Sequence, residues 1–187
     1  MNKLSFLPFP NLSTQRLLLR QLTIGDEKEI MVLRSDERIL KYLIINKCNS
    51  LDEARQFIEK INNGIKANEW IYWAITQETD KKLIGTFCIW HISEENSRAV
   101  IGYALHPDWQ GKGIMKEAMD AVLEYGFKEM KLHSIEANVD PGNQPSIKLL
   151  EKKGLIKQAH FKENVFINGS FLDSAIYSLL NPYEKEV

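Results

Sequence analysis

Ile101-Gly102-Tyr103-Ala104-Leu105-His106-Pro107-Asp108-Trp109-Gln110-Gly111-Lys112-Gly113-Ile114-Met115 is the stretch on which the fold turns. Its opening residues read as the end of a strand over Arg98 to Leu105. Pro107 cannot donate to a strand ladder, so the strand stops before it. Gly111 and Gly113 then remove two Cβ atoms where a helix over Gly113 to Glu129 opens, with Ile114, Ala118, Ala121, Val122 and Tyr125 on one face. The first turn of a helix exposes N–H groups without intrahelical partners and carries the positive end of the dipole. A strand, a glycine loop and a helix start can therefore hold a phosphate or diphosphate through backbone donors. Lys112 adds a positive charge there. The alternative is a helix start that uses its glycines only to turn tightly. Neither common nucleotide motif is present. Lys112 lies between the glycines, not after them as in a P-loop, and Lys116 stands where a dinucleotide fingerprint needs its third glycine.

A second stretch, Asn138 to Leu155, repeats the pattern. A strand over His133 to Val139 runs through a turn into a short helix over Pro145 to Lys153, which Gly154 can cap. Asn143 and Ser146 place an amide and a hydroxyl at that helix start, as cap residues or as ligand contacts. Outward from these two stretches, Arg16 to Leu22 reads as a strand. Thr23 to Leu33 reads as a helix, with Thr23 and Asp26 at capping-box spacing. Ser50 and Glu53 form a capping box before an amphipathic helix over Leu51 to Ala67, in which Ala54, Phe57, Ile58, Ile61 and Ile65 recur at helical spacing. Strands over Trp70 to Thr76, Leu83 to His91 and Arg98 to Leu105, joined by short polar turns, predict an antiparallel meander. Leu155 to His160 opens the last strand region. Val165 to Leu172 reads as a hairpin around Asn168-Gly169, the residues a type I′ turn needs. The order β-α-α-β-β-β-α-β-α-β-β is a mixed α/β domain.

The chain has 187 residues, which predicts a single domain over 1–187 with a sizeable core. It carries 24 basic and 25 acidic residues, with 13 and 11 of them up to Ser93 and 11 and 14 after it. Neither half has the positive bias of a nucleic-acid or membrane-surface binder. No apolar stretch approaches the length of a membrane span. Cys48 and Cys88 form no C-x-x-C pair, and His91, His106, His133 and His160 are scattered, so no metal is expected. The start of the chain, interrupted by Pro8 and Pro10, does not read as a secretion signal, and a cytoplasmic location is expected.

Together, the two strand-to-helix stretches resemble the GNAT family, the acetyl-coenzyme-A-dependent N-acetyltransferases. The family's diphosphate loop reads Gln/Arg-x-x-Gly-x-Gly/Ala. Gln110 to Met115 fits it, with Met115 in place of the final small residue. Its next motif, Asn-x-x-Ser-x-x-Leu-x-x-Lys-x-Gly-Phe, is met at Asn143, Ser146, Leu149, Lys152 and Gly154, with Leu155 for Phe. Leu12 to Arg20 resembles the T-x-R-L-x-L-R opening of the branch that acetylates ribosomal-protein N-termini (the Rim type) and includes relatives acting on small amines. Asn168-Gly169, Asp173 and Tyr177 look like the same branch.

The resemblance runs from about Leu12 to Leu180. It implies an α/β GNAT fold, a mixed, mostly antiparallel central sheet flanked by about four helices. It also implies acetyl-CoA as co-substrate. Ala104, Leu105 and His106 would lie beside the thioester. Gln110, Gly111, Lys112, Gly113, Ile114 and Met115 would hold the diphosphate, with Asn143 and Ser146 nearby. The acceptor would be a primary amine, either a protein N-terminus or a small molecule.

Direct attack on the thioester needs a neutral amine. An α-amine is roughly 14% neutral at pH 7 and a lysine amine about 0.04%, so an N-terminal acceptor asks little of a base. The resemblance puts Ser146 where many members carry a tyrosine that protonates the leaving thiolate. The branch's basic Glu position is Val165 here, which leaves Glu163 and Glu136 as candidate bases. His91, near a strand end, is a weaker one. An acyl-CoA-binding module without turnover and a nucleotide-binding protein using the same loop are the alternatives. A homodimer through an edge strand is the assembly such a sheet allows.

Overall fold

The computed structural model describes residues 4–43, 45–167 and 169–184. Among them the elements run β1 (Leu12–Ser13), β2 (Leu17–Gln21), α1 (Glu27–Leu33), α2 (Glu37–Leu40), α3 (Leu51–Lys66), β3 (Ile71–Gln77), β4 (Leu83–Ser93), β5 (Arg98–Leu105), α4 (Ile114–Lys128), β6 (Ser134–Val139), α5 (Gln144–Lys152), β7 (Ile156–Ile167) and β8 (Ser170–Leu180). One eight-stranded sheet has the order β1-β2-β3-β4-β5-β6-β8-β7. β5 and β6 are parallel and every other neighbouring pair is antiparallel. The expected mixed, mostly antiparallel sheet is therefore present, with its meander at β3, β4 and β5.

Three details differ from expectation. Leu12–Ser13 adds a two-residue edge strand. The helix expected from Thr23 begins as a 3-10 turn over Ile24–Asp26, and α1 starts only at Glu27. Asp26 sits at that junction, and its carboxylate accepts from the Thr23 N–H at 2.8 Å and from both terminal nitrogens of Arg20 at 2.8 and 2.6 Å. The third is α2, four residues long, which makes five helices among the described residues where about four were expected. One turn is too short to carry a periodic signal. Asn168 of the expected hairpin turn lies outside the described residues, and Gly169 has the positive φ, +81°, that such a turn requires.

Successive residues of a strand point to opposite faces of a sheet, and β3 uses this to hold two helices. Tyr72 meets Phe57 of α3 edge-on at 5.8 Å, and Trp73 meets Tyr125 of α4 edge-on at 5.5 Å. Thus α3 and α4 cover opposite faces. Ala54, Ile58, Ile61 and Ile65 of α3 are buried, as their spacing predicts, and each buried isoleucine contributes roughly 2 kcal/mol. Ser50 caps that helix by accepting from the Glu53 N–H at 3.2 Å.

The parting of β5 from β6 positions the site. β5 and β6 pair only from Arg98↔Ser134 to Ile101↔Ala137. Beyond Ile101, β5 stays with β4 as far as Gly85↔Leu105, and β6 stays with β8 as far as Val139↔Ala175. The sheet therefore splits between them. α4 follows the end of β5 and α5 follows the end of β6, so two helix N-termini flank the split. Among the described residues no helix is long and apolar enough to cross a membrane.

Candidate active site

The split is a cleft of about 300 Å³. Tyr103, Ala104 and Leu105 line it from β5, Trp109, Gln110, Gly111 and Gly113 to Lys116 supply most of its second side, and Asn143, Pro145, Ser146 and Leu149 line it from α5. A further wall comes from Arg38, Ile39, Tyr42 and Leu43, on α2 and the residues after it. Sequence reading missed that wall.

The strand geometry selects one donor among Ala104, Leu105 and His106. In an antiparallel ladder alternate residues turn their N–H groups to the same neighbour. His106 N–H donates to Ile84 O of β4 at 2.9 Å. Ala104, two residues earlier, turns the same way, opposite Thr86. Tyr103 and Leu105 turn theirs the other way, where β6 has already left. Leu105 N–H thus faces the cleft, while those of Ala104 and His106 belong to the β4 side.

The glycine loop supplies a second set of donors. Gly111 and Gly113 have φ of +73° and +74°, the left-handed region that costs an L side chain roughly 1–2 kcal/mol. These two turns swing the chain into α4. The first α4 amide bonded in helical fashion is Glu117 N–H, to Gly113 O at 3.1 Å. From Gly111 to Lys116 the N–H groups have no hydrogen-bond partner among the described residues. Ile114 and Met115 bury their side chains in the core, at 4% and 9% exposure, so Met115 brings only its backbone to the loop. The Lys112 ammonium lies over the Trp109 ring, 4.9 Å from its centroid. Gln110 ties the loop back to the strand by donating from Nε2 to Leu105 O at 3.2 Å.

The loop is also braced from outside. Glu117, in the first turn of α4, accepts from Thr14 Oγ1 at 2.6 Å, from Arg16 N–H at 2.9 Å and from Arg16 Nε at 2.6 Å. Arg16 in turn donates from Nη1 to Lys112 O at 3.1 Å. Burial pushes the Glu117 carboxyl up, but the bonds from Thr14 and Arg16 outweigh it and hold it below the usual carboxylate range. Threonine and arginine two apart in the opening motif were the only sequence signal for this brace.

Across the split, Ser146 Oγ lies 2.7 Å from Tyr103 Oη. Asn143 caps α5 by accepting the Ser146 N–H at 3.2 Å, so it serves the helix while lining the cleft. The two glutamates named from sequence lie elsewhere. Glu136 sits in the joined part of β5–β6, opposite Val100, and pairs with Arg98 at 3.2 Å. Glu163 sits in a bulge of β7 at φ +49°, its N–H donating to Asp173 Oδ1 at 2.9 Å. Neither these two nor His91 lines the cleft. A second recess of about 240 Å³ adjoins it, with Tyr42 and Leu43 common to both, and Lys41, Asp140 and Asp173 on its wall. Among the described residues no group of three or more His, Cys, Asp or Glu could hold a metal ion.

Comparison with known proteins agrees with this geometry. The acetyltransferase (GNAT) domain family matches residues 16–156. The uncharacterized N-acetyltransferase p20 of Bacillus licheniformis is 35% identical, with 90% of this chain and 95% of that protein covered. The [ribosomal protein uS5]-alanine N-acetyltransferase of Escherichia coli is 30% identical over 65% of this chain and 63% of its own length. The solved structure of the spermidine N-acetyltransferase from Vibrio cholerae, in complex with CoA and spermine, is 28% identical with a TM-score of 0.79, covering 90% of this chain and 97% of that one. The chain belongs to the GNAT family and is an acetyl-CoA-dependent N-acetyltransferase.

Proposed function

We propose that the enzyme acetylates a primary amine, a peptide N-terminal α-amine or a small-molecule amine, by direct attack within one catalytic domain. The observation that carries this reading is the pairing of two unpartnered donor sets in one cleft. Leu105 N–H faces the split, and Gly111 and Gly113 to Lys116, whose N–H groups have no partner among the described residues, line its mouth. Bound acetyl-CoA supplies an acetyl thioester that a neutral amine can attack without a covalent enzyme intermediate.

The chain's residues do the rest. The N–H groups of Gly111 to Lys116, with the positive end of the α4 dipole, receive the diphosphate. Leu105 N–H donates to the thioester carbonyl oxygen as it gains charge. Ser146 Oγ–H donates to the departing thiolate. A thiol of pKa about 8.5 leaves readily near pH 7, so Ser146→Ala slows turnover by about tenfold to a hundredfold without abolishing it. The recess beside Tyr42 and Leu43 receives the acceptor. Glu136 and Glu163 lie off the cleft. An N-terminal α-amine, roughly 14% neutral at pH 7, needs no stronger base than water, whereas a small-molecule alkylamine must first lose its proton to solvent. Both acceptor classes have a relative behind them, spermidine for one and an alanine of ribosomal protein uS5 for the other.

Thermal unfolding with acetyl-CoA, with ATP and NAD as controls, tests the donor site. Ligand at 100 times Kd adds about 2.7 kcal/mol, a Tm rise of roughly 5–10 °C for a domain of this size. A rise with acetyl-CoA alone is expected, and no rise in folded protein overturns the assignment of the loop. CoA release with spermidine and with a peptide bearing N-terminal alanine then decides between the acceptor classes.

A further inference from the structure

We infer that Tyr103 is a positioning residue for the proton donor Ser146: its phenol donates to Ser146 Oγ and so leaves the serine proton free to face the cleft. The inference rests on the role given to Ser146 above. A serine hydroxyl has one proton and two lone pairs. At 2.7 Å either oxygen of this pair can be the donor. Were serine the donor, its only proton would be spent on Tyr103 and none would remain for sulfur.

Two observations set the direction. Burial pushes the Tyr103 phenol up to about 12, so it keeps its proton at every working pH. Among the described residues Ser146 Oγ is its only hydrogen-bond partner, and a phenol is a stronger donor and a weaker acceptor than an aliphatic hydroxyl, so the pair is best satisfied with tyrosine donating. Ser146 Oγ lines the cleft beside it, where a developing thiolate can accept the serine proton. The phenol can reach α5 only because of the split, since Tyr103 lies beyond the last β5–β6 pair at Ile101↔Ala137. Its ring is held from behind by Phe87, with centroids 5.3 Å apart.

The proton count closes. The C–S bond breaks with its electron pair going to sulfur, and sulfur takes the Ser146 proton. The proton lost by the attacking nitrogen returns through solvent to Ser146 Oγ. Tyr103 keeps its proton throughout, and its hydrogen bond strengthens while Oγ is electron-rich.

The test is steady-state CoA release by Tyr103→Phe, Ser146→Ala and the double variant, with acetyl-CoA varied at saturating amine. Tyr103→Phe should lower kcat by about two- to tenfold with KM for acetyl-CoA unchanged. In the Ser146→Ala background it should cause no further loss. An unchanged kcat in the single variant, or an undiminished effect in the Ser146→Ala background, overturns the inference while leaving Ser146 in place. Wild-type turnover by Ser146→Ala removes the role of Ser146 and this inference with it. If Tyr103→Phe does not fold, 3-fluorotyrosine at position 103 keeps the hydroxyl and makes it a stronger donor. It should raise kcat, and an unchanged or lower kcat overturns the inference.

Discussion

Gly111 and Gly113 share a left-handed backbone conformation in different surroundings. A Cβ on Gly111 would meet nothing within 4 Å, and one on Gly113 would come 3.5 Å from Arg16 Nη2. Gly113→Glu adds a carboxylate at the turn that opens α4, beside Arg16 and next in sequence to the unpartnered N–H groups that receive the diphosphate. The φ of +74° costs any side chain roughly 1–2 kcal/mol, so the variant should stay folded with Tm lower by about 2–8 °C. Like charge against the diphosphate should weaken acetyl-CoA binding by at least about a hundredfold. Calorimetric titration measures the affinity. Gly113→Ala has the strain without the charge, and should bind acetyl-CoA far better than Gly113→Glu. Equal affinities in the two variants would remove the diphosphate from this loop.

α4 is the element on which the donor site depends, and it is held in place by residues far away in sequence. Thr14 and Arg16 close on Glu117 in its first turn, where a carboxylate also suits the positive end of the helix. Glu117→Gln keeps the shape and weakens the charge-assisted bonds. KM for acetyl-CoA should rise about three- to tenfold with kcat little changed. S-acetylpantetheine, which has no diphosphate, should show no such change. Equal effects on both donors would mean that the brace supports the whole fold and not the loop. The pH dependence follows from the same carboxyl. Its folded pKa is depressed, so the brace is complete above the ordinary glutamate value and is lost as pH falls through the lower folded one. KM for acetyl-CoA should rise at the acid end of the profile and do so less in Glu117→Gln.

Local chemistry was legible in the sequence, and the split sheet was not. The glycines of the loop, the capping residues Ser50 and Asn143 and the amphipathic spacing of α3 each act within a few residues, so they leave a local pattern. The point where β5 and β6 part is set by packing across the whole molecule. Alternation says which face a strand residue takes, and says nothing about where a neighbouring strand leaves. That is why Glu136, on a strand beside the cleft, pairs with Arg98, and why Tyr103 went unread as a partner of Ser146. Stability has the same whole-molecule character at Asp26. It is 4% exposed and joins β2 to the start of α1 through Arg20 and Thr23. Burial pushes its carboxyl up, but the bonds from Arg20 and Thr23 prevail and hold it below the usual range. The unfolded chain then takes up this proton at a higher pH, near 3.9, than the folded chain does. The stabilisation is complete above about pH 5 and disappears as pH falls through the folded pKa. Asp26→Asn leaves Arg20, with its side chain 16% exposed, without a countercharge, and should cost about 2–4 kcal/mol at pH 7. Urea unfolding of both proteins between pH 7 and pH 2.5 measures the difference. The gap should be widest above pH 5 and narrow steadily below pH 4. A gap independent of pH would mean that the Asp26 charge does not stabilise the junction between β2 and α1.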